Sequence, residues 1–210
     1  MFKAFLFDLD DTLVNTSHIV YLSMKKWCAE NNVNLELAIE KGKGTRIEDT
    51  LALVAPHLDA LEEAKKIEKY EEHLIGSLKP VSGAKEFLLK LPVESWAIVT
   101  SSSHQLAERK LKVNDLPNPK LLITADCVKA GKPNPEPYLK AIQKLGLSPE
   151  ECLIFEDADS GIISATAAGC NVVVVGSNST IENKSIVAKI QTFNELNLSI
   201  SDGLSIEPFC

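Results

Sequence analysis

Five short apolar runs limit what this chain can fold into: residues 3–7, 95–100, 121–124, 152–155 and 171–175. They are rich in β-branched and aromatic residues and lack the polar alternation of a strand with one wet face, so they read as strands covered on both sides. Helical patterns fill the gaps between the last four, over 103–111, 135–145 and 160–168. At Asn134-Pro135 a capping side chain precedes a proline at the first helical position, and Gly146 and Gly169 are stop signals after the later two helices. This alternation predicts an α/β fold, a Rossmann-like doubly wound parallel sheet with helices on both faces.

Residues 14–80 break the rhythm. They hold no good strand, only helical material over 16–31 and 58–74, with a third helix starting near Thr45, where Thr45-Arg46-Ile47-Glu48 reads as a capping box. The expected organisation is therefore a core of residues 1–13 and 81–210 and a helical cap, residues 14–80, inserted after the first strand. Its linkers fall at 13–16 and 78–83, and no internal repeat is present. Open α/β sheets bind ligands at the carboxyl ends of their strands, so such an insertion sits over the binding edge as a lid.

Charge narrows the partners. The chain carries 29 acidic against 22 basic residues, net -7, with no basic run to reverse the field locally. Nucleic acid and acidic membrane surfaces are poor partners for such a surface. No apolar run approaches the ~20 residues a bilayer requires, and the opening Met-Phe-Lys-Ala-Phe-Leu-Phe-Asp is not a signal peptide. The 5 cysteines are odd in number and form no CxxC pair, which points to free thiols in a reducing compartment. A cytoplasmic location and a soluble monomer are expected, and the Asn-x-Ser/Thr motifs at Asn15, Asn178, Asn183 and Asn197 are chance matches.

Chemistry concentrates at the strand ends. The first strand runs into Asp8-Leu9-Asp10-Asp11-Thr12, and three carboxylates in such a position are costly unless something cationic lies among them. Asp8 and Asp10 point the same way along an extended chain. Glu156-Asp157-Ala158-Asp159 follows the fourth strand, so both clusters emerge at one edge of a parallel sheet and make a hard-oxygen site suited to Mg²⁺. Asp159 reads better as the N-cap of the next helix. Thr100-Ser101-Ser102-Ser103 closes the second strand with hydroxyls and amides at a helix start, an anion seat. Lys132 follows the third strand in Gly131-Lys132-Pro133-Asn134-Pro135, where two prolines stiffen its setting.

Taken together, the four segments resemble, in order and across nearly the whole chain, the four motifs of the haloacid dehalogenase-like phosphohydrolase superfamily. They are Asp8 to Thr12, Trp96 to Ser101, Gly131 to Tyr138 and Phe155 to Gly161. The wording around the last three is similar to the family's sugar-phosphate and polyol-phosphate phosphatases, and the insertion is similar to the cap of its β-phosphoglucomutase type. The resemblance implies Asp8 as nucleophile and Asp10 as general acid and base. It implies Thr100, Ser101 and Lys132 as holders of the phosphoryl oxygens. Mg²⁺ would be held by Asp8, the Asp10 carbonyl and Asp157, with Glu156 as a further or water-mediated ligand. The implied substrate is a small phosphorylated metabolite, hydrolysed through an aspartyl-phosphate.

Departures from the pattern matter as well. Asp11 stands where this branch most often has Gly, and Val20 stands where the family's sugar-phosphate mutases carry His. A mutase, or a non-catalytic phosphate-binding protein, is the alternative; the family's dehalogenases lack the second Asp, which this chain has. Lys43 and Arg46 in the cap are placed to reach a polar or anionic substrate tail, although Arg46 also fits as a solvated first-turn residue of the capping box.

Overall fold

The computed structural model of the chain describes residues 1–176, 179–201 and 203–208; Cys210 and the motif at Asn178 lie outside the described residues. The chain opens with strand β1 (Ala4–Phe7), a two-residue strand β2 (Val14–Asn15) and four helices, α1 (Ser17–Asn31), α2 (Leu35–Gly42), α3 (Ile47–Val54) and α4 (Ala60–Leu74). It continues through β3 (Lys79–Pro80), α5 (Ala84–Lys90), β4 (Trp96–Val99), α6 (His104–Val113) and β5 (Leu122–Ile123). The last third holds α7 (Glu136–Leu145), β6 (Cys152–Glu156), α8 (Asp159–Ala167), β7 (Asn171–Val175), β8 (Ile186–Ile190) and a hairpin, β9 (Leu196–Ile200) and β10 (Leu204–Pro208).

Six strands form one parallel sheet in the order β5-β4-β1-β6-β7-β8. The order reverses at β1, and the expected doubly wound α/β architecture is what the chain adopts. Alternate residues of each strand serve opposite faces. Phe5, Phe7, Phe155 and Val173 pack under α5 and α6, whereas Ala4, Leu6, Ile154 and Val172 pack under α7 and α8. The first face is an aromatic cluster: Phe7 stacks on Phe155 at 4.7 Å between ring centres, and Phe193 stacks on Phe155 at 5.6 Å. The unbroken hydrophobicity of the central strands follows from burial on both sides.

All five anticipated strands are present. The sixth, β8, went unread because Ile186-Val187-Ala188-Lys189-Ile190 is an edge strand whose residues alternate in exposure, and β9–β10 lie off the main sheet. Helices α2 and α5 were also unread, being only 8 and 7 residues long. Two helix starts differ from expectation. Thr45 does not cap α3: its hydroxyl donates to Lys41 O and pairs with Thr50, and the helix begins after Arg46. Asp159 is the first residue of α8 rather than its cap, a position Ala158 takes; its carboxylate still faces the positive end of the helix and accepts from Ser179.

Helices α1 to α4 share an apolar cluster of their own, centred on Trp27, Met24, Leu51 and Ile67. Trp27 Nε1 donates to the buried Glu63 carboxylate at 2.8 Å, so the indole is satisfied inside the cluster. This helical cap leaves the sheet at the end of β1 and returns through β3, which pairs antiparallel with β2. Asp11 fixes the departure. It adopts a left-handed φ of 56°, which aspartate tolerates better than most side chains, and its carboxylate accepts from Thr16 N (2.8 Å) and Ser17 N (3.0 Å) at the start of α1. The aspartate thus supplies the helix cap that Thr16 does not. No helix among the described residues is long and apolar enough to cross a membrane.

Phe155 sits at the centre of the aromatic face, so Phe155→Ala is expected to cost about 3–5 kcal/mol of stability. Urea unfolding measures it, and a loss below about 1 kcal/mol would show that the cluster is not the main support of the sheet.

Candidate active site

Every motif segment ends at the carboxyl edge of the sheet. Strand β1 delivers Asp8, β4 delivers Thr100, β6 delivers Glu156 and Asp157, and the loop after β5 returns Lys132 over the same edge. Burial of a lysine demands partners for all its protons. Lys132 Nζ donates to Asp8 Oδ1 (2.6 Å), Glu156 Oε1 (2.6 Å) and the Val99 carbonyl (3.0 Å), with only 2% of the residue exposed. Burial alone would lower its pKa, but Asp8 and Glu156 more than offset that and raise it, so the ammonium stays charged.

Glu156 is saturated. Its Oε1 also accepts from Tyr138 Oη (2.7 Å), and its Oε2 accepts from the Asp157 and Ala158 amides (3.1 and 3.3 Å). Gly161 makes room for it, since a Cβ there would come within 1.9 Å of Glu156 Oε1. Asp157 Oδ1 accepts from Thr12 Oγ1 at 3.3 Å and from no other side chain among the described residues. One carboxylate oxygen each from Asp8, Glu156 and Asp157 lie within 4.8 Å of one another, all three residues buried. Burial and mutual repulsion push Asp8 and Asp157 well above the usual carboxylate range. Three acids around one ammonium leave an excess of negative charge, and an oxygen-seeking divalent cation fits that donor set.

Asp10 belongs to a second ionic centre. Its Oδ1 accepts from Lys110 Nζ (2.5 Å), and its Oδ2 accepts from Ser102 Oγ (2.8 Å) and Thr100 Oγ1 (3.4 Å). Burial works to raise its pKa, but Lys110 and the Ser102 hydroxyl bring it below the ordinary value. Lys110, from α6, is 1% exposed and also faces Glu71 of α4 at 3.5 Å, while it donates to Ser102 Oγ at 3.0 Å. Asp8, Asp10, Ser101, Lys43 and Asp157 line one cavity of about 420 Å³ between sheet edge and cap.

The loop between α2 and α3 docks on two of the motif segments and on the residues just before a third. Ser101 Oγ donates to Gly44 O (2.9 Å), Ser160 Oγ donates to Lys43 O (2.8 Å), and Arg46 donates to the Val128 and Lys129 carbonyls (3.4 and 3.2 Å). Gly44 adopts φ +72°, and a Cβ there would lie 2.4 Å from Ser160 Oγ, so glycine permits the close approach. Of the site residues singled out from the sequence, Thr100, Lys132 and Glu156 lie behind the cavity wall, where Thr100 contacts Asp10 and Lys132 joins Asp8 to Glu156, and Arg46 stands apart from it. Its guanidinium is held bidentately by Asp49 at 2.7 Å to each oxygen. Lys110, Glu71, Tyr138 and Thr12 were not anticipated. The only trace of Lys110 in the sequence is a lysine on the helix face that also carries Leu106, Ala107 and Leu111.

The sequence signature described as haloacid dehalogenase-like hydrolase matches residues 5–175, from the first residues of β1 to the end of β7. The chain belongs to the haloacid dehalogenase-like hydrolase family. It is 37% identical over 179 residues to hexitol phosphatase A of Escherichia coli (strain K12), covering 82% of each chain. It is 34% identical to glycerol-1-phosphate phosphohydrolase 1 of Saccharomyces cerevisiae, covering 81% of this chain and 73% of that one. The fold of β-phosphoglucomutase from Clostridium difficile superposes with a TM-score of 0.79 at 21% identity, over 94% of each chain.

In this haloacid dehalogenase-like chain, the raised pKa values of Asp8 and Asp157 fix a sign. The folded protein binds more protons than the unfolded one above the ordinary carboxylate range, so these two groups cost stability as pH rises through their folded values. Asp157→Asn is therefore expected to raise the melting temperature of protein in EDTA at neutral pH, with the gain shrinking towards about pH 4. Thermal melts of both proteins across pH check it; a lower melting temperature for the variant at neutral pH would contradict the charge excess.

Proposed function

We propose that this protein is a Mg²⁺-dependent phosphatase that hydrolyses small sugar or polyol phosphates through an aspartyl-phosphate on Asp8. The observation that carries the reading is the placement of Asp8 and Asp10 on one cavity wall, each paired with its own buried lysine. The names of the relatives support it: a hexitol phosphatase, a glycerol-1-phosphate phosphohydrolase and a 2-deoxyglucose-6-phosphate phosphatase of yeast.

Asp8 attacks phosphorus, and the bond from phosphorus to the leaving oxygen breaks as Asp10 delivers a proton to that oxygen. Asp10 then takes a proton from water, which attacks the aspartyl-phosphate and frees Asp8 and inorganic phosphate. Lys110 and Ser102 hold Asp10 ionised in the free protein, the form that the second step needs. Asp10 therefore takes up one proton from solvent before the first turnover and regains it from water in each later one. Lys132, with Thr100 and Ser101, holds the phosphoryl oxygens and offsets their charge. Asp8 and Asp157 are the side chains we assign to Mg²⁺, with the Asp10 carbonyl; bound there, the ion supplies charge neutralisation between carboxylate and phosphate. Glu156 accepts four hydrogen bonds, which favours a role in holding Lys132 and Tyr138 over direct ligation.

Residues 14–80 act in this reading as a cap that closes on the β2–β3 pair and excludes water. A mutase must return the phosphoryl group to a sugar, and the cavity offers no histidine for it among the described residues. Val20 lines the wall, and His18 pairs instead with Ser77 at 2.9 Å. A cytoplasmic monomer completes the proposal, in keeping with the acidic charge and the free thiols of Cys28, Cys127, Cys152 and Cys170.

The test is phosphate release with two leaving groups. Asp8→Asn is expected to abolish turnover of every substrate. Asp10→Asn is expected to slow glycerol phosphate hydrolysis by about 10²–10⁴-fold, while the first step with p-nitrophenyl phosphate loses much less because nitrophenolate leaves without a proton. Rapid-quench measurement separates the steps, and equal losses for both leaving groups would remove Asp10 from the acid role.

A further inference from the structure

Part of the cavity wall is apolar and comes from residues 14–80, among them Val20, Met24, Ile39 and Ile67. Two charged side chains interrupt that wall from opposite layers, Lys110 of the core and Glu71 of the cap, and no step of the reaction uses Glu71. The Lys110 ammonium is committed to Asp10 and Ser102, and Glu71 Oε2 faces it at 3.5 Å. That same oxygen is buried and has no hydrogen-bond partner among the described residues. Arg46 is turned away onto Asp49. Lys43, the other cation lining the cavity among the described residues, belongs to the loop docked on Ser160, at the reacting end.

We propose that Glu71 determines specificity for the charge of the leaving group. Lys110, committed to Asp10 and Ser102 and faced by Glu71, is not free to receive a second anion, and the Glu71 carboxylate on the cavity wall repels one. The substrate is then the monophosphate of a neutral alcohol rather than of a hydroxy acid, and not a bisphosphate. Like charges about 5 Å apart in a protein-like dielectric repel strongly enough to cost roughly a hundredfold. This inference rests on the phosphatase reading and says which members of that substrate class the site accepts.

The experiment measures kcat/KM of the full chain with Mg²⁺ on glycerol 3-phosphate and 3-phosphoglycerate, which differ only in CH₂OH against COO⁻, with p-nitrophenyl phosphate as reference. Wild type is expected to prefer glycerol 3-phosphate by about a hundredfold. Glu71→Gln keeps the shape and removes the charge, and is expected to narrow that ratio at least about tenfold, chiefly by raising activity on 3-phosphoglycerate. If Glu71 serves structure alone, both activities fall together, the ratio stays put and the proposal is overturned. Should Glu71→Gln not fold, Glu71→Met carries the same expectation, and a wild-type ratio near one overturns the proposal without any variant. Failure to hydrolyse even p-nitrophenyl phosphate removes the phosphatase reading itself, and the proposal with it.

Discussion

The Lys132 ammonium, enclosed by Asp8, Glu156 and the Val99 carbonyl, ties together the strands that build the site. An ammonium can be buried this deeply only if every proton has an acceptor and a carboxylate lies close by. Meeting that demand fixes the ends of β1, β4 and β6 against the loop after β5. Glu156 in turn is fixed by Tyr138, two backbone amides and the absence of a side chain at Gly161. Removing any one of these partners leaves a buried charge uncompensated. The arrangement is therefore rigid before any substrate arrives, as electrostatic preorganisation requires.

A second buried lysine repeats the device one aspartate further on. Lys110 serves Asp10 as Lys132 serves Asp8, but its second acid comes from the cap rather than the sheet edge. One ionic centre thus belongs wholly to the core, and the other spans core and cap. The opposite shifts follow from these settings: burial, with Glu156 and Asp10 close by, lifts Asp8, whereas Lys110 and Ser102 depress Asp10 against the effect of burial. Two carboxylates pushed apart in this way suit separate tasks, one as nucleophile and one as proton carrier.

Much of this was legible in the sequence because burial on both faces leaves an unbroken apolar run, and each such run ended in the residues that now line the site. Asp8, Asp10, Lys132 and Asp157 stand out in sequence since charged residues beside a buried strand need a reason. Lys110 and Glu71 were hidden for the opposite cause. Each sits in a helix rich in Lys and Glu, where one more charge looks like solvated surface, and only the docking of α4 on α6 buries the pair. Arg46 misled because its capping-box context described a helix start that Thr45 does not make; the guanidinium instead joins the cap to the loop before Lys132. The edge strand β8 and the β9–β10 hairpin escaped because partial exposure breaks the pattern on which the other strands were recognised.

The central claim is that Asp8, Glu156 and Asp157 hold more negative charge than Lys132 can balance, and that Mg²⁺ restores the balance. Calorimetric titration of the protein with Mg²⁺, in two buffers of different ionisation enthalpy, tests this most directly. The account predicts one ion bound per chain, with protons released to the buffer as Asp8 and Asp157 ionise fully. Binding without proton release, or no binding at all, would contradict it.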